Sequence, residues 1–71
     1  MNRERGVIMD AVIEIQLADK FVLDYWFGEL QHDECEIPRF QDVYNWISEN
    51  NPDYFFLSDR VYAQVKSLYF P

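Results

Sequence analysis

The segment that most constrains the fold is residues 21–30, because seven of its ten residues are large and apolar. The polar residues in and around it repeat at i, i+4, i+8 and i+11, which marks one narrow stripe along a helix: Lys20, Asp24, Gly28 and Gln31. This pattern predicts a helix that is apolar around most of its circumference and must be covered on more than one side. A chain of 71 residues has little mass to supply that cover. We therefore expect a protein partner or a second copy of the chain, most simply in a homodimer, to complete it.

The composition is that of one small domain with a large aromatic content. Thirteen aromatic side chains are more than a core of this size can enclose, so some are expected at an interface, where aromatic residues are enriched. One cysteine, Cys35, excludes an internal disulfide and gives no sign of an oxidising compartment. No segment approaches the ~20 apolar residues needed to cross a bilayer, and we expect a cytoplasmic protein.

The net charge of −7 is concentrated in the middle of the chain. Residues 21–59 contain nine acids and a single base, Arg39. Direct binding to nucleic acid needs clustered Lys and Arg, so this charge argues against it. A protein with a basic surface is the better electrostatic match. A plainer explanation, that the acids only keep a small apolar protein in solution, stays open from the sequence.

Two apolar segments predict a short sheet. Residues 11–17 alternate as in a half-buried strand, with Ala11, Ile13, Ile15 and Leu17 on one face and Val12, Glu14 and Gln16 on the other. Residues 54–57 form a short apolar run that would pair with it, because a lone strand leaves its backbone groups unpaired. We therefore predict an α+β fold of order β-α-α-β-α in residues 11–71, after a flexible N-terminal arm in residues 1–10.

Two alternatives to this sheet stay open. The first strand could pair across a dimer axis instead of with residues 54–57. Alternatively, residues 21–27 could be the second strand of an N-terminal β-hairpin that turns at residues 18–20 and is followed by two helices.

Three helices complete the predicted fold. Asp19 is a candidate N-cap for the helix of residues 21–30. The second helix has Pro38 in its first turn, Pro52 beyond its end, and a clear apolar stripe at i, i+3, i+4 and i+7 made by Phe40, Val43, Tyr44 and Ile47. Ser58 or Asp59 can cap the third helix, whose stripe is Val61, Tyr62, Val65, Leu68 and Tyr69.

Few residues could carry reaction chemistry. His32 and Cys35 could bind zinc together with a carboxylate, yet structural zinc sites usually have four Cys or His ligands, and this chain has two such residues. As a base and nucleophile the same pair lacks an orienting group. The two glycines, Gly6 and Gly28, do not form a phosphate-binding loop. We predict no enzymatic activity, no metal and no cofactor.

Acidic and aromatic side chains together distinguish this sequence. Carboxylates on a rigid scaffold can take the positions of phosphates on a basic surface, and aromatic side chains can anchor the contact. We therefore predict a small acidic inhibitor or adaptor, comparable in build to a phage anti-CRISPR protein, that occupies a basic, nucleic-acid-binding surface of a partner protein. The candidate partner-binding residues are Tyr25, Trp26, Glu29, Asp33, Glu34, Glu36, Asp42, Trp46 and Glu49.

The alternative function is that of a subunit or immunity-type interaction protein. Such a protein would bind through the aromatic face of residues 21–30, and its charge would serve solubility only.

Overall fold

The chain folds into helices joined by short loops, and the described residues contain no strand. The computed structural model describes the backbone of residues 3–71 and the side chains of residues 10–71. Helix α1 spans Arg3–Asp19 and continues without a break into a π-helix, Lys20–Glu29. A loop leads to α2, Phe40–Asn50, and a 3₁₀-helix, Pro52–Leu57, connects α2 to α3, Ser58–Tyr69. The protein is therefore a small all-α domain, and the predicted α+β fold is wrong.

The structure describes only part of the predicted N-terminal arm, residues 1–10. Met1 and Asn2 lie outside the described residues, and α1 begins at Arg3.

The π-helix lies at the centre of the core. Phe21 and Val22 are fully buried, and Trp26 is 6% exposed. The ring of Phe21 lies 5.8 Å from that of Trp26 and 5.6 Å from that of Trp46 in α2. Other elements complete the core with Leu17, Ala18, Val43, Ile47, Leu57, Val61 and Val65. A helix is therefore confirmed for residues 21–29, although it is a π-helix instead of one with 3.6 residues per turn, and the chain itself covers its inner face.

The π-helix is held at its end by backbone hydrogen bonds of wide spacing. The N–H of Leu30 donates to the carbonyl oxygen of Tyr25 at 2.8 Å, and the N–H of His32 donates to that of Trp26 at 3.0 Å. Gly28 suits this geometry, because a Cβ atom there would lie 3.0 Å from the carbonyl oxygen of Leu23, five residues earlier. Most π-helices are single turns, so the packing of this ten-residue segment must stabilise it.

The predicted first strand, residues 11–17, is wrong, because these residues form part of α1. The inner face of this part of the chain repeats at i, i+3, i+4 and i+7 and consists of Glu14, Leu17, Ala18 and Phe21. A charged residue therefore lies on the inner face, while Val12 and Ile15 are exposed. Because a charged residue is buried while apolar residues are exposed, the helical period is not visible in the sequence. The apolar and polar residues instead alternate as they would in a strand. A pairing of this segment across a dimer axis is excluded for the same reason.

The predicted second strand, residues 54–57, is also wrong, because these residues form most of the 3₁₀-helix. Leu57 is buried, but Phe55 and Phe56 are 52% and 64% exposed. The apolar run therefore lies mostly at the surface instead of inside a sheet. The alternative N-terminal hairpin is wrong as well, since residues 21–27 belong to the π-helix.

Helices α2 and α3 confirm two predicted helices, although their ends differ from the prediction. Pro38 precedes α2, and the Asp42 carboxylate accepts a hydrogen bond of 2.8 Å from the backbone N–H of Arg39. Ser58 does not act as an N-cap, because its hydroxyl donates to the carbonyl oxygen of Phe55 at 2.6 Å.

Asp19 is not an N-cap either. It lies inside the continuous helix, and its carboxylate accepts a hydrogen bond of 2.5 Å from the Tyr69 hydroxyl.

The Glu14–Arg60 ion pair joins α1 to α3 and predicts a mutational effect. The two side chains are 3.2 Å apart, and that of Glu14 is 9% exposed while that of Arg60 is 61% exposed. Arg60→Gln leaves a mostly buried carboxylate without its partner. We expect the free energy of unfolding to fall by roughly 1 kcal/mol, less than for a fully buried pair because water reaches Arg60. Urea unfolding followed by tryptophan fluorescence measures this change.

Two further variants control that experiment. Arg39→Gln makes the same charge change at the exposed N-cap of α2, keeps the backbone hydrogen bond to Asp42, and should alter stability by less than about 0.5 kcal/mol. Glu14→Leu combined with Arg60→Gln should recover the loss, because leucine continues the apolar inner face of α1. Equal losses for Arg60→Gln and Arg39→Gln would contradict a structural role of the pair.

The Tyr69–Asp19 hydrogen bond predicts a pH effect in the alkaline range. The hydrogen bond to Asp19, together with burial and the negative charge of Asp19, raises the pKa of Tyr69 above its ordinary value of 10.0. A raised pKa in the folded state means that the stabilisation is complete below about pH 10 and is lost as the pH rises through the folded pKa. We expect Tyr69→Phe to lower the free energy of unfolding by roughly 0.5–1 kcal/mol at pH 7. This is a small value for a hydrogen bond to a charged group, because the pair is partly exposed.

The measurement is urea unfolding of the wild type and Tyr69→Phe from pH 7 to pH 11. The stability difference between the two proteins should be constant up to about pH 9 and shrink above pH 10. A difference that grew with pH would contradict the assignment.

Candidate functional site

An open cleft of about 430 Å³ lies between the π-helix and the C-terminal half of α2. We call it the acidic cleft. It is lined by Lys20, Asp24, Tyr25, Glu29, Trp46, Glu49, Asn50 and Asn51. Three carboxylates and one ammonium group therefore face the same space.

Aromatic side chains connect the acidic cleft to the core. The rings of Tyr25 and Trp46 are 6.3 Å apart, and the ring of Phe21 lies 5.6 Å from each of them. Trp46 is 7% exposed and Tyr25 is half-buried, so the tyrosine offers the larger accessible surface. The side-chain amide of Asn50 donates to the carbonyl oxygen of Trp46 at 2.9 Å. A rigid aromatic wall is therefore adjacent to the exposed acids.

Two of the three carboxylates of the acidic cleft lie at unfavourable ends of helices. Glu29 is the last residue of the π-helix, and Glu49 is in the last turn of α2. The C-terminal end of a helix carries partial negative charge, which favours Lys or Arg there and disfavours acids. Neither of these last turns contains a basic residue. Within the described side chains the close contacts between acidic and basic side chains are His32–Glu36 and Glu14–Arg60, and neither includes an acid of the cleft.

The other predicted acids lie away from the acidic cleft and have local roles. Asp33 accepts the backbone N–H of Cys35 at 2.9 Å. Glu36 accepts the backbone N–H of Asp33 at 3.1 Å and also lies 3.1 Å from Nδ1 of His32. Asp42 caps α2 as described above. These three carboxylates therefore organise the loop and the start of α2.

Trp26 and Glu34, the remaining predicted residues, are also outside the acidic cleft. Trp26 is buried, its indole N–H donates to the carbonyl oxygen of Glu36 at 2.7 Å, and its ring lies 4.0 Å from that of His32. Glu34 is exposed on the loop and lines a different, apolar groove.

The structure thus brings together four of the nine predicted site residues: Tyr25, Glu29, Trp46 and Glu49. It adds Lys20, Asp24, Asn50 and Asn51, which the sequence prediction did not include. Lys20 and Asp24 belong to the polar stripe beside residues 21–30, and that stripe was the signal that could have placed them in the site.

His32 and Cys35, the candidate zinc ligands, have different local surroundings. His32 is directed at Glu36, and Cys35 is exposed. Among the side chains of residues 10–71, no three His, Cys, Asp or Glu groups are arranged to hold a metal ion.

Two further findings concern the chain as a whole. None of the helices within the described residues has both the length and the apolar character needed to cross a membrane. In comparisons with protein-family models, curated proteins and solved structures, no match to this chain was found.

Gln31 ends the helix that carries the acidic cleft and predicts opposite effects of two substitutions. Its φ of 56° lies in the left-handed region, which costs a residue with a Cβ atom about 1–2 kcal/mol. Gln31→Gly should stabilise the fold by roughly 0.5 kcal/mol, because glycine adopts this φ freely but loses more entropy on folding. Gln31→Val should destabilise it by more than about 1 kcal/mol, because a β-branched residue rarely adopts this conformation. Thermal unfolding followed by circular dichroism tests both, and shifts of the same sign would contradict the assignment.

Proposed function

We propose that this protein binds a basic protein partner and that the acidic cleft receives a Lys or Arg side chain of that partner. The observation that carries the proposal is the position of Glu29 and Glu49 at the C-terminal ends of two helices without a basic residue in either last turn. Their electrostatic cost in the free protein would be relieved by a bound cation. The exposed part of Tyr25 adds an aromatic surface on which a guanidinium group or a lysine stem can stack.

The class of partner follows from the charge of the whole protein. A net charge of −7 favours a partner with an extended basic surface, and such surfaces are typical of nucleic-acid-binding proteins. The protein would then act as an inhibitor or adaptor that competes with phosphates for that surface, as an anti-CRISPR protein of a phage would. The proposed activity is binding without catalysis, in the cytoplasm of the cell that contains the partner.

Two other expectations rested on an uncovered aromatic helix. Both the homodimer and the subunit-type protein binding through residues 21–30 needed a free apolar face there. Phe21, Val22 and Trp26 are buried within the chain itself, whereas Leu23 and Leu30 are 53% and 42% exposed. The proposal rests on the acidic cleft, where acids and an aromatic side chain lie together, and the homodimer and the subunit-type protein both stay predictions.

Matched charge variants test the proposal. Glu29→Gln with Glu49→Gln changes the acidic cleft, whereas Asp53→Asn with Asp59→Asn removes the same charge from the first turns of the 3₁₀-helix and α3. The tagged wild type is incubated with nuclease-treated lysate of the native host, eluted in steps of rising salt and analysed by mass spectrometry. The affinity of each variant for the captured protein is then measured by calorimetry.

We expect a basic, nucleic-acid-binding protein that elutes at moderate salt, because exposed charges are screened there. The cleft variant should bind roughly tenfold more weakly, and the control variant within about twofold of the wild type. The cleft variant should also be more stable by roughly 0.5–1 kcal/mol, since it removes acids from helix C-terminal ends. Equal losses of affinity in both variants, or a complex that resists high salt, would contradict the proposal.

A further inference from the structure

A second surface, an apolar groove of about 500 Å³, lies between the end of the π-helix, the loop before α2 and the end of α3. We call it the apolar groove, and it is lined by Phe27, Glu34, Ile37, Leu68, Tyr69, Phe70 and Pro71. No residue lines both the apolar groove and the acidic cleft. The two surfaces therefore offer separate contacts.

One side of the apolar groove is packed against the core, and the other side is exposed to solvent. The rings of Phe27 and Phe70 are 5.9 Å apart at an interplanar angle of 60°, and both side chains pack against the core. Ile37 and Leu68 are 58% and 49% exposed. Large apolar side chains that surround a concave surface in this way are typical of contact sites for other proteins.

Charge decides which occupant fits this groove. Glu34 lies on its edge, and the exposed Asp33 and Glu36 are in the same loop. A second copy of the chain would bring two net charges of −7 together, which opposes self-association through this surface. An apolar segment flanked by Lys or Arg would instead complement the acids while it fills the groove.

We propose that the apolar groove binds an amphipathic helical segment of a partner protein, with its apolar side chains between Ile37 and Leu68 and a Lys or Arg beside Glu34. The apolar face of such a helix inserts in the groove, and its basic flank selects this site over uncharged apolar patches. This surface is additional to the acidic cleft and does not depend on it.

A designed peptide provides the probe. A fluorescein-labelled amphipathic helix of ~15 residues, made of leucine and lysine, is compared with the same peptide in which glutamate replaces every lysine. Binding is measured by fluorescence anisotropy with the full chain. Leu68→Ser and Ile37→Ser each change one exposed apolar residue of the groove. Phe56→Ser is the matched control, because Phe56 is 64% exposed in the 3₁₀-helix.

The leucine–lysine peptide should bind, and Leu68→Ser and Ile37→Ser should each weaken it by roughly fivefold. Glu34→Gln should weaken it by roughly threefold, whereas Phe56→Ser and the double variant Asp53→Asn with Asp59→Asn should stay within about twofold. Leu68, Ile37 and Glu34 do not line the acidic cleft, so their effects are independent of the test of that cleft.

Three results would overturn the inference. They are equal weakening by Phe56→Ser, equal binding of the leucine–glutamate peptide, and a dimer in sedimentation equilibrium that Leu68→Ser dissociates. The last would assign the groove to a second copy of the chain. Ile37 is in a loop, so its variant still tests the groove if Leu68→Ser lowers stability.

Discussion

The burial of Trp26 fixes the rotation of the π-helix, and both surfaces of the protein depend on it. Its indole N–H needs a hydrogen-bond acceptor inside the core, and the carbonyl oxygen of Glu36 provides one at 2.7 Å. The loop before α2 is therefore part of the core, although most of its side chains are exposed. With Trp26 held inward, Tyr25 and Glu29 line the acidic cleft and Phe27 lines the apolar groove.

Four acids of this chain lie at the ends of helices, and they form two groups with opposite electrostatic effects. Asp42 and Asp59 are in the first turns of α2 and α3, where the positive end of a helix stabilises them. Glu29 and Glu49 are in last turns, where the same effect is unfavourable. Solubility alone would be served equally well by acids in either place. Residues that are electrostatically unfavourable at their position, such as acids at the C-terminal end of a helix, are typical of functional surfaces.

The parts of the fold that could be predicted from the sequence are helices whose apolar or polar stripe repeats between neighbouring residues. The apolar stripe of α2 and the polar stripe beside residues 21–30 are both read from neighbouring residues, and both helices were found. Residues 11–17 were assigned to a strand because Glu14 interrupts the apolar face of α1. Its partner Arg60 is 46 positions away, and no local pattern connects the two.

The same limit applies to the candidate site. Residue type alone identified Tyr25 and Glu29 in the π-helix and Trp46 and Glu49 in α2 as candidate contact residues. Only the packing of the π-helix on α2 brings these two pairs together. Trp26 is also an aromatic residue in an acidic stretch, yet it is buried. Its indole N–H donates to a carbonyl oxygen of the loop before α2, and the conformation of that loop could not be predicted from the sequence.

The polar contacts between α1 and α3 have a consequence for the order of folding. Glu14 pairs with Arg60, and the Asp19 carboxylate accepts the Tyr69 hydroxyl over a separation of 50 residues. During synthesis α1 leaves the ribosome first, but its inner face finds these partners only after α3 has emerged. Closing a loop of this length precedes any gain from the contacts, so the bundle should fold more slowly than three helices that pack only on their neighbours. Until then the face of α1 that packs against α3 is uncovered, and an uncovered apolar face is a site for chaperones and for aggregation.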